Sequence, residues 1–561
     1  MPIKSDYPTI PLADKPYHED FLPTIWKHSI KAPERLAIAS TWFALNAQDC
    51  FQINANNPED SITFRDLFFN VHSVATFLRS RGFKKGDVAC SVLCNCWEFM
   101  VAFMAVATEG GVFSGSSYLF TDYELERQFV DSKSTVIFTL DTSLERVLKA
   151  VKRAPLVQTI VVIRENKTTP TTSELPFGVV SFEQVLATEP DFHRPRVQFD
   201  ITKDLLLLPY SSGTTGSPKG VMLSHLNYST MMRTSSVHFK REFFDRMEPR
   251  FDASNEHVCI FLPLYHAYGT GVATNALNDG TTCVLLQRFD PDLFCRCIQQ
   301  YKIRYQFLVP PIIVLLAKSP LVDKYDLSSL EILLSAAAPC GKDICEAAKK
   351  RHPNIKSINQ AYGLTEVSLA SHLNQFDGPI NNVGKLGPNL EMKIVDVITK
   401  QEQPVGVAGE ICIRGPTVFQ GYLDKPEATA ETIQEDGYLH TGDLGRLDEN
   451  NYLFIVDRLK ELIKVKGLQV APAELEDLLL SHPKVADCAV IGISDLKTGE
   501  KPKAYIVRKD KNVTASELQK FVADRVASYK QLAQVEFVSE IPKSPSGKIL
   551  RRLLRDKTAK L

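Results

Sequence analysis

The 561-residue sequence has no excess of charge, no paired cysteines and no long apolar run. Lys+Arg number 65 and Asp+Glu 66, a formal net charge of −1. That balance excludes a strong overall field drawing the molecule to nucleic acid or an acidic membrane. The 12 cysteines include no CxxC; the closest pairs are Cys94/Cys96 and Cys295/Cys297, and no histidine pair has zinc-site spacing. They read as reduced thiols in a reducing compartment. The first twenty residues lack the apolar core of a signal peptide, and apolar runs such as 99–107 are far too short to cross a bilayer. No GxSxG occurs, which disfavours a serine hydrolase. No repeat of 20 to 50 residues is visible.

What is present is an ordinary globular composition, 44% hydrophobic and 23% charged. From about 62 to 282, β-branched apolar runs alternate with helical patterns. Strands are expected at 88–93, 136–140 and 157–163, and a helix at 97–108. This alternation predicts stacked α/β layers around buried sheets. The Thr-rich stretch 167–176 reads as a surface loop. Between 383 and 456, short strands (391–395, 410–414) are separated by Gly and Pro turns, without a helix longer than a couple of turns. That predicts a β-rich subdomain. Beyond a boundary near 458–460, a helix opening at Pro472 and reaching about Ser481, strands at 485–491 and 504–507, and a Thr514/Glu517 capping box with a helix to about 526 make a compact α+β module. The expected organisation is an N-terminal domain 1–459 and a small C-terminal domain 460–561.

The first chemical signal is Tyr210-Ser-Ser-Gly-Thr-Thr-Gly-Ser-Pro-Lys-Gly220, after an apolar strand at 205–209 and before a short strand at 221–223. Gly213 lets the backbone approach an anion. Ser211, Ser212, Thr214 and Thr215 supply hydroxyl donors, and Lys219 a positive charge: the parts of a triphosphate cradle. It is not a Walker A loop, because Pro218 stands five residues after Gly213.

This segment resembles the signature of the adenylate-forming superfamily, which includes acyl-CoA synthetases, 4-coumarate–CoA ligases, beetle luciferases and peptide-synthetase adenylation domains. Four further motifs follow in the family's order. They are Gln360-Ala-Tyr-Gly-Leu-Thr-Glu366, His440-Thr-Gly-Asp443, Asp457-Arg-Leu-Lys-Glu-Leu-Ile-Lys-Val-Lys-Gly467 and Pro545-Ser-Gly-Lys548. The resemblance implies ATP, Mg²⁺ and CoA. A carboxylate attacks the α-phosphate of ATP, and a thiol then takes the acyl group from the adenylate. Both anions and the departing pyrophosphate need neutralisation by preorganised cations and donors.

The same resemblance assigns roles. Gln360, Ala361 and Tyr362 form the adenine motif, with Tyr362 stacking on the base; the family commonly has Gly where Ala361 stands. Thr365 offers a hydroxyl and Glu366 holds Mg²⁺, a hard cation suited to oxygen ligands. Asp443 accepts from the ribose hydroxyls and Arg458 donates to the same sugar. Lys548 serves adenylation, while Arg551 and Arg552 read as a solvated basic face. His266, expected at the end of an apolar strand over 259–264, orients the carboxylate and gates the pocket. Lys460 is the hinge about which the C-terminal domain swings, exchanging Lys548 for a face where Lys464 meets the AMP phosphate and Lys466 and Gly467 meet pantetheine.

The acyl pocket implied by the family comprises His266, Tyr268, Val272, Ala337, Leu369 and Ala370. Apart from His266 these are uncharged side chains, which favours an aliphatic or aromatic acid over an amino acid. Residues 265–272 lack the Asp that adenylation domains use for a substrate ammonium. The expected function is an ATP-dependent acid–CoA ligase (acid–thiol ligase, EC 6.2.1) for a fatty or arylpropenoic acid. A luciferase-like monooxygenase is the alternative, against which Leu369 stands where luciferases commonly have Ser. An inactive nucleotide-binding homologue would need a broken motif, and all five are intact. The ending Ala559-Lys560-Leu561 resembles a peroxisomal address read by the import receptor. The expected location is therefore the peroxisome, with the cytoplasm as alternative.

Overall fold

A computed structural model describes residues 2–41, 61–165, 175–176, 178–211, 218–459, 461–465, 468–495, 499–544, 547–551 and 553–555. Most of the Thr-rich stretch and of the phosphate loop, Lys460, Lys466, Gly467, Arg552 and the last six residues lie outside these.

The expected alternation builds a seven-stranded sheet. Its central strands Val112–Ser116, Val88–Val92, Ser134–Leu140, Thr159–Ile163 and Val179–Ser181 run parallel; Leu205–Leu207 joins one edge in parallel and Leu223–Ser224 follows it antiparallel. Helix Trp97–Thr108 has the expected bounds and every one of its residues is buried. A helix apolar all round is the form suited to lying between layers, not on a surface. A four-stranded sheet is formed by His257–Ile260, Thr282–Leu286, Leu36–Thr41 and Ser61–Thr63. A third, of parallel Tyr305–Leu308, Ile332–Ser335 and Ser357–Gln360, ends where the site begins. One apolar cluster joins these layers, from Tyr17 to Leu453. Parallel strands covered on both faces explain why these segments are apolar runs without alternation.

The β-rich stretch forms an antiparallel sheet, ordered Ile3–Lys4, Glu391–Val395, Gly409–Arg414, Leu439–Leu447 and Leu453–Arg458. Its one helix among the described residues, Pro426–Thr432, is seven residues long. Beyond it, Gly499–Arg508 pairs with Val485–Asp495, Ile463–Val465 and Gln534–Phe537, and Ile463–Val465 with Leu468–Val470. Helix Pro472–Ser481 has the expected bounds. The Thr514 side chain accepts from Glu517 N, and that helix ends at Ala523, three residues early. Separate apolar clusters fill this part of the chain, centred on Val490, Ala504 and Leu518 and on Ala489, Tyr505 and Leu554.

Three expectations are corrected. The strand expected at 259–264 is His257–Ile260, and His266 instead caps helix Ala267–Asp279. The strand at 221–223 is divided between Lys219–Gly220 and Leu223–Ser224, because Val221 instead bridges Tyr422. Arg551 does not face water: its guanidinium is paired with Glu461 and bonded to both oxygens of Glu476 at 2.8 and 2.7 Å. Its side chain is 11% exposed. A charge run is solvated only where the fold leaves it so, and here two carboxylates compensate the buried cation.

Candidate active site

Strand Tyr210–Ser211 pairs antiparallel with Lys219–Gly220, placing Ser211 opposite Lys219 at the base of the phosphate loop. Tyr210 anchors it by donating to Asp131 Oδ2 at 2.7 Å. Residues Ser212, Gly213, Thr214 and Thr215 fall outside the described residues. Ser211 Oγ donates to Glu366 Oε1 at 3.2 Å, so two motifs 155 residues apart meet in one hydrogen bond. Tyr422, which the sequence did not single out, donates to the same oxygen at 2.9 Å, and the Lys219 ammonium stands 4.8 Å from the Tyr422 ring centroid. Glu366 is 8% exposed and is framed by hydroxyls. An all-oxygen donor set of this kind fits Mg²⁺.

Gln360 ends its strand and is clamped to the Cys340 backbone: Cys340 N donates to its Oε1 at 2.8 Å, and its Nε2 donates to Cys340 O at 2.9 Å. Ala361 N donates to Ser335 O at 2.9 Å, tying the motif to the neighbouring strand end. A Cβ on Gly363 would lie 2.0 Å from Leu369 O and 2.5 Å from Ala370 Cα. Only glycine permits that approach, which turns Leu369 and Ala370 into the cavity.

Asp443 joins the nucleotide side. Its Oδ2 accepts from Tyr362 OH at 2.8 Å and its Oδ1 faces Arg458 Nε at 3.2 Å. Strand pairing places Asp443 directly opposite Arg458. Burial, then the Asp443 charge, raises the Tyr362 phenol well above its usual value, so it stays a donor. Behind this segment, His440 Nδ1 lies 3.0 Å from Glu410 Oε2 and 3.4 Å from Cys412 Sγ, and Gly442 N donates to Glu410 Oε1 at 3.3 Å. That group fixes the turn presenting Asp443.

One cavity collects the acyl residues. It encloses about 920 Å³ of empty space including its mouth, and His266, Tyr268, Val272, Ala337, Leu369 and Ala370 all line it. Gln360, Ala361, Tyr362, Thr365 and Lys548 line it too. Tyr268 OH is 3.1 Å from both Leu308 O and Leu334 O, so its ring is pinned as a wall. Ala337 has φ 76°, a left-handed conformation rare for a residue with a Cβ and typical of functional sites.

His266 Nδ1 accepts from Tyr268 N at 3.3 Å, so the neutral ring carries its proton on Nε2. Desolvation, then the Lys548 charge, lowers its pKa to about 4. The imidazole is thus a neutral donor at physiological pH. Lys548 arrives on a turn in which Ser544 N donates to Lys548 O at 2.8 Å and Lys548 N to Ser544 Oγ at 3.1 Å. Gly547 takes φ +81°, the left-handed form this turn requires. Desolvation, then Arg458, lowers the Lys548 pKa to about 8, while Asp443, Glu366 and Glu461 act in the opposite sense.

Lys464 does not join them: it sits on the exposed side of strand Ile463–Val465 and does not line the cavity. The structure therefore presents Lys548, not Lys464, to the site. Sequence reasoning missed Tyr422, and also Ser235, His238 and Asn275, which line the cavity from helices His225–Glu242 and Ala267–Asp279. For Ser235 and His238 the available signal was the polar set Thr230, Thr234, Ser235 and His238 at helical spacing, all of them buried.

Comparison with known proteins agrees with this geometry. Residues 39–423 match the AMP-binding enzyme family model and residues 474–548 the AMP-binding enzyme C-terminal domain. The chain is 39% identical to 4-coumarate–CoA ligase 2 of Petroselinum crispum, covering 89% of this chain and 90% of the relative. It is 38% identical to 4-coumarate–CoA ligase 2 of Nicotiana tabacum, covering 94% and 96%. The solved o-succinylbenzoate CoA synthetase of Bacillus subtilis, in complex with an acyl-adenylate intermediate, superposes with a TM-score of 0.76 at 26% identity, over 97% of this chain and 99% of that one. With a family model spanning well over half its length, the chain belongs to the AMP-binding, adenylate-forming enzymes.

Proposed function

We propose that this chain is an ATP-dependent acid–CoA ligase. The observation that carries this reading is the convergence of Lys548, His266, Thr365 and Tyr362 on one cavity that the apolar side chains Val272, Leu369 and Ala370 also line. In the first step an oxygen of the carboxylate attacks the α-phosphate of ATP, the bond to the β-phosphate oxygen breaks, and pyrophosphate leaves. The Lys548 ammonium bridges the two anions, His266 Nε2–H orients the carboxylate, and Asp443 with Arg458 holds the ribose. Preorganised donors of this kind act strongly in a site shielded from water. Glu366, with the Ser211 and Tyr422 hydroxyls beside it, is the place for Mg²⁺, which supplies charge neutralisation at the phosphates.

In the second step the CoA sulfur attacks the acyl carbon of the mixed anhydride, the bond to the phosphate oxygen breaks, and AMP leaves. Lys548 occupies the site in the present arrangement, so the thiol step needs a different one. A pivot at Lys460 supplies it, bringing Lys464 to the phosphate and Lys466 and Gly467 to pantetheine. The cavity suits an aromatic or aliphatic acid, and resemblance to 4-coumarate–CoA ligases supports an arylpropenoic acid over a fatty acid. A luciferase-like oxidation is not favoured: Leu369 fills the position where luciferases commonly carry Ser. The C-terminal Ala559-Lys560-Leu561 supports import into the peroxisome, and its removal should leave a tagged protein in the cytoplasm.

The deciding assay supplies ATP, Mg²⁺, CoA and a panel of cinnamic, benzoic and fatty acids, and measures thioester and AMP together. Thioester formation from at least one acid is expected; none from any acid, with ATP bound, contradicts the reading.

A further inference from the structure

In the sequence the closest cysteines are Cys94/Cys96 and Cys295/Cys297, but the fold brings another pair into contact. The Cys345 thiol donates to Cys340 Sγ across 3.6 Å. Helix Lys342–Arg351 makes this contact. Gly341 is its N-cap, so Cys340 precedes the cap and Cys345 is the fourth helical residue. Side chains at those two positions meet at a helix start, where an apolar pair commonly packs across the first turn. Two thiols there add chemistry that packing does not need.

The pair is tied to the nucleotide site and to the domain seam. The Cys340 backbone N and O clamp the Gln360 amide at 2.8 and 2.9 Å, and Gln360 lines the cavity beside Ala361 and Tyr362. Gly341 lies against Asp477 of helix Pro472–Ser481, and the Asp477 charge bears on Cys340. Cys340 is 5% exposed and Cys345 fully buried, so an oxidant reaches Cys340 first. The Cys345 contact, then desolvation, holds the Cys340 thiol well above its usual range. The pair therefore stays reduced except under a sustained oxidant.

We propose that Cys340 and Cys345 are an oxidation site that closes to a disulfide under a peroxide, and that closure loosens the adenine side of the nucleotide site. The Cys340 thiolate attacks one peroxide oxygen and the O–O bond breaks. The other oxygen leaves as water with the thiol's proton, and Cys340 becomes a sulfenic acid. The Cys345 sulfur then attacks the Cys340 sulfur, the S–O bond breaks, and a second water leaves with the Cys345 proton. Two thiols lose two electrons and one peroxide gains them. Closure shortens the sulfur separation from 3.6 Å to about 2.05 Å. Cys345 is held by its helix and the core around it, so the residue that moves is Cys340, and the Gln360 clamp moves with it. The ligase reading above needs neither thiol; this inference adds a control on its nucleotide site.

The test treats the reduced full-length protein with hydrogen peroxide, removes the excess with catalase, and titrates ATP binding without turnover. ATP affinity should weaken at least about fivefold, as for loss of one hydrogen bond, and dithiothreitol should restore it. Mass spectrometry of unreduced peptides should find Cys340 joined to Cys345. Cys345→Ala and, independently, Cys340→Ala should bind ATP but lose the response to peroxide. If a thermal melt shows one variant unfolded, the other carries the comparison. Absence of the link after treatment overturns the proposal, and so does a link that leaves ATP affinity unchanged. A response that persists in a folded variant, or that dithiothreitol does not reverse, also overturns it. Failure of the reduced protein to bind ATP overturns the nucleotide site and this proposal with it. Thioester from no acid overturns only the ligase reading, because ATP binding and the link are read without turnover.

Discussion

The two sides of the active cavity are held in different ways. On the N-terminal side the functional groups are fixed to one another and to a continuous core: Ser211 and Tyr422 to Glu366, Tyr362 and Arg458 to Asp443, Gln360 to the Cys340 backbone. On the C-terminal side a single ammonium arrives on a short turn, and the seam that delivers it is thin. Lys318 Nζ donates to Leu480 O at 2.9 Å, at the end of helix Pro472–Ser481, and to Val485 O at 3.3 Å. Ala473 N donates to Asp457 Oδ2 at 3.1 Å, and a small apolar cluster joins Leu444, Leu462 and Ala471. A Cβ on Gly341 would fall 1.4 Å from Asp477 Oδ1, so the two sides touch closely there. A preformed half and a docked half suit a two-step reaction in which one cation must leave before the thiol arrives.

The sharpest way to break this comparison is Lys548→Ala. Adenylation, read as ATP–pyrophosphate exchange, should fall by about 10²–10³ or more, while thioester formation from supplied acyl-adenylate persists. Equal loss in both steps would mean that Lys548 belongs to the fixed half. Asp443→Ala attacks the fixed half itself. It strands Arg458 and the Tyr362 hydroxyl, and the KM for ATP should rise about 10- to 100-fold, with both half-reactions impaired.

Titration distinguishes the halves more gently. The Lys548 pKa is lowered to about 8, so its charge is present below that pH and lost above it. The kcat/KM of adenylation should therefore fall about tenfold per pH unit above 8, and Lys548→Arg, whose guanidinium stays charged, should abolish that limb. The smallest effect is expected at the seam. Lys318→Ala removes a donor to two carbonyls worth about 1 kcal/mol, so adenylation should slow by a factor of about five with the thioester step spared. If both steps slow equally, the seam contact is general stabilisation and not docking.

Much of this was readable in advance because local chemistry dictated it. Helices Trp97–Thr108 and Pro472–Ser481 match their expected bounds, the first from its unbroken apolar run and the second from Pro472 in its first turn. Asp443, Glu366 and Lys548 were identified as motif members. What could not be read was pairing at long range. Tyr422 gives no sign in the chain of meeting Glu366, 56 residues away, because that contact depends on Val221 bridging Tyr422. Arg551 looked like part of a solvated run because periodicity does not reveal that Glu461 and Glu476 close over it. His266 was expected at a strand end and proved a helix cap, where its Nδ1 bond sets the tautomer.

The sequence by itself determined the reagents: hydroxyls, carboxylates and lysines in an order that specifies adenylate chemistry, and apolar strands that must be buried in layers. Only the tertiary structure decided which of two lysines faces the cavity and which side chains line it beside that lysine. The reason is physical. Residue type fixes what a group can donate or accept, but burial, tautomer and charge state are properties of its neighbours. At Lys548 and His266 those neighbours come from segments far apart in the chain.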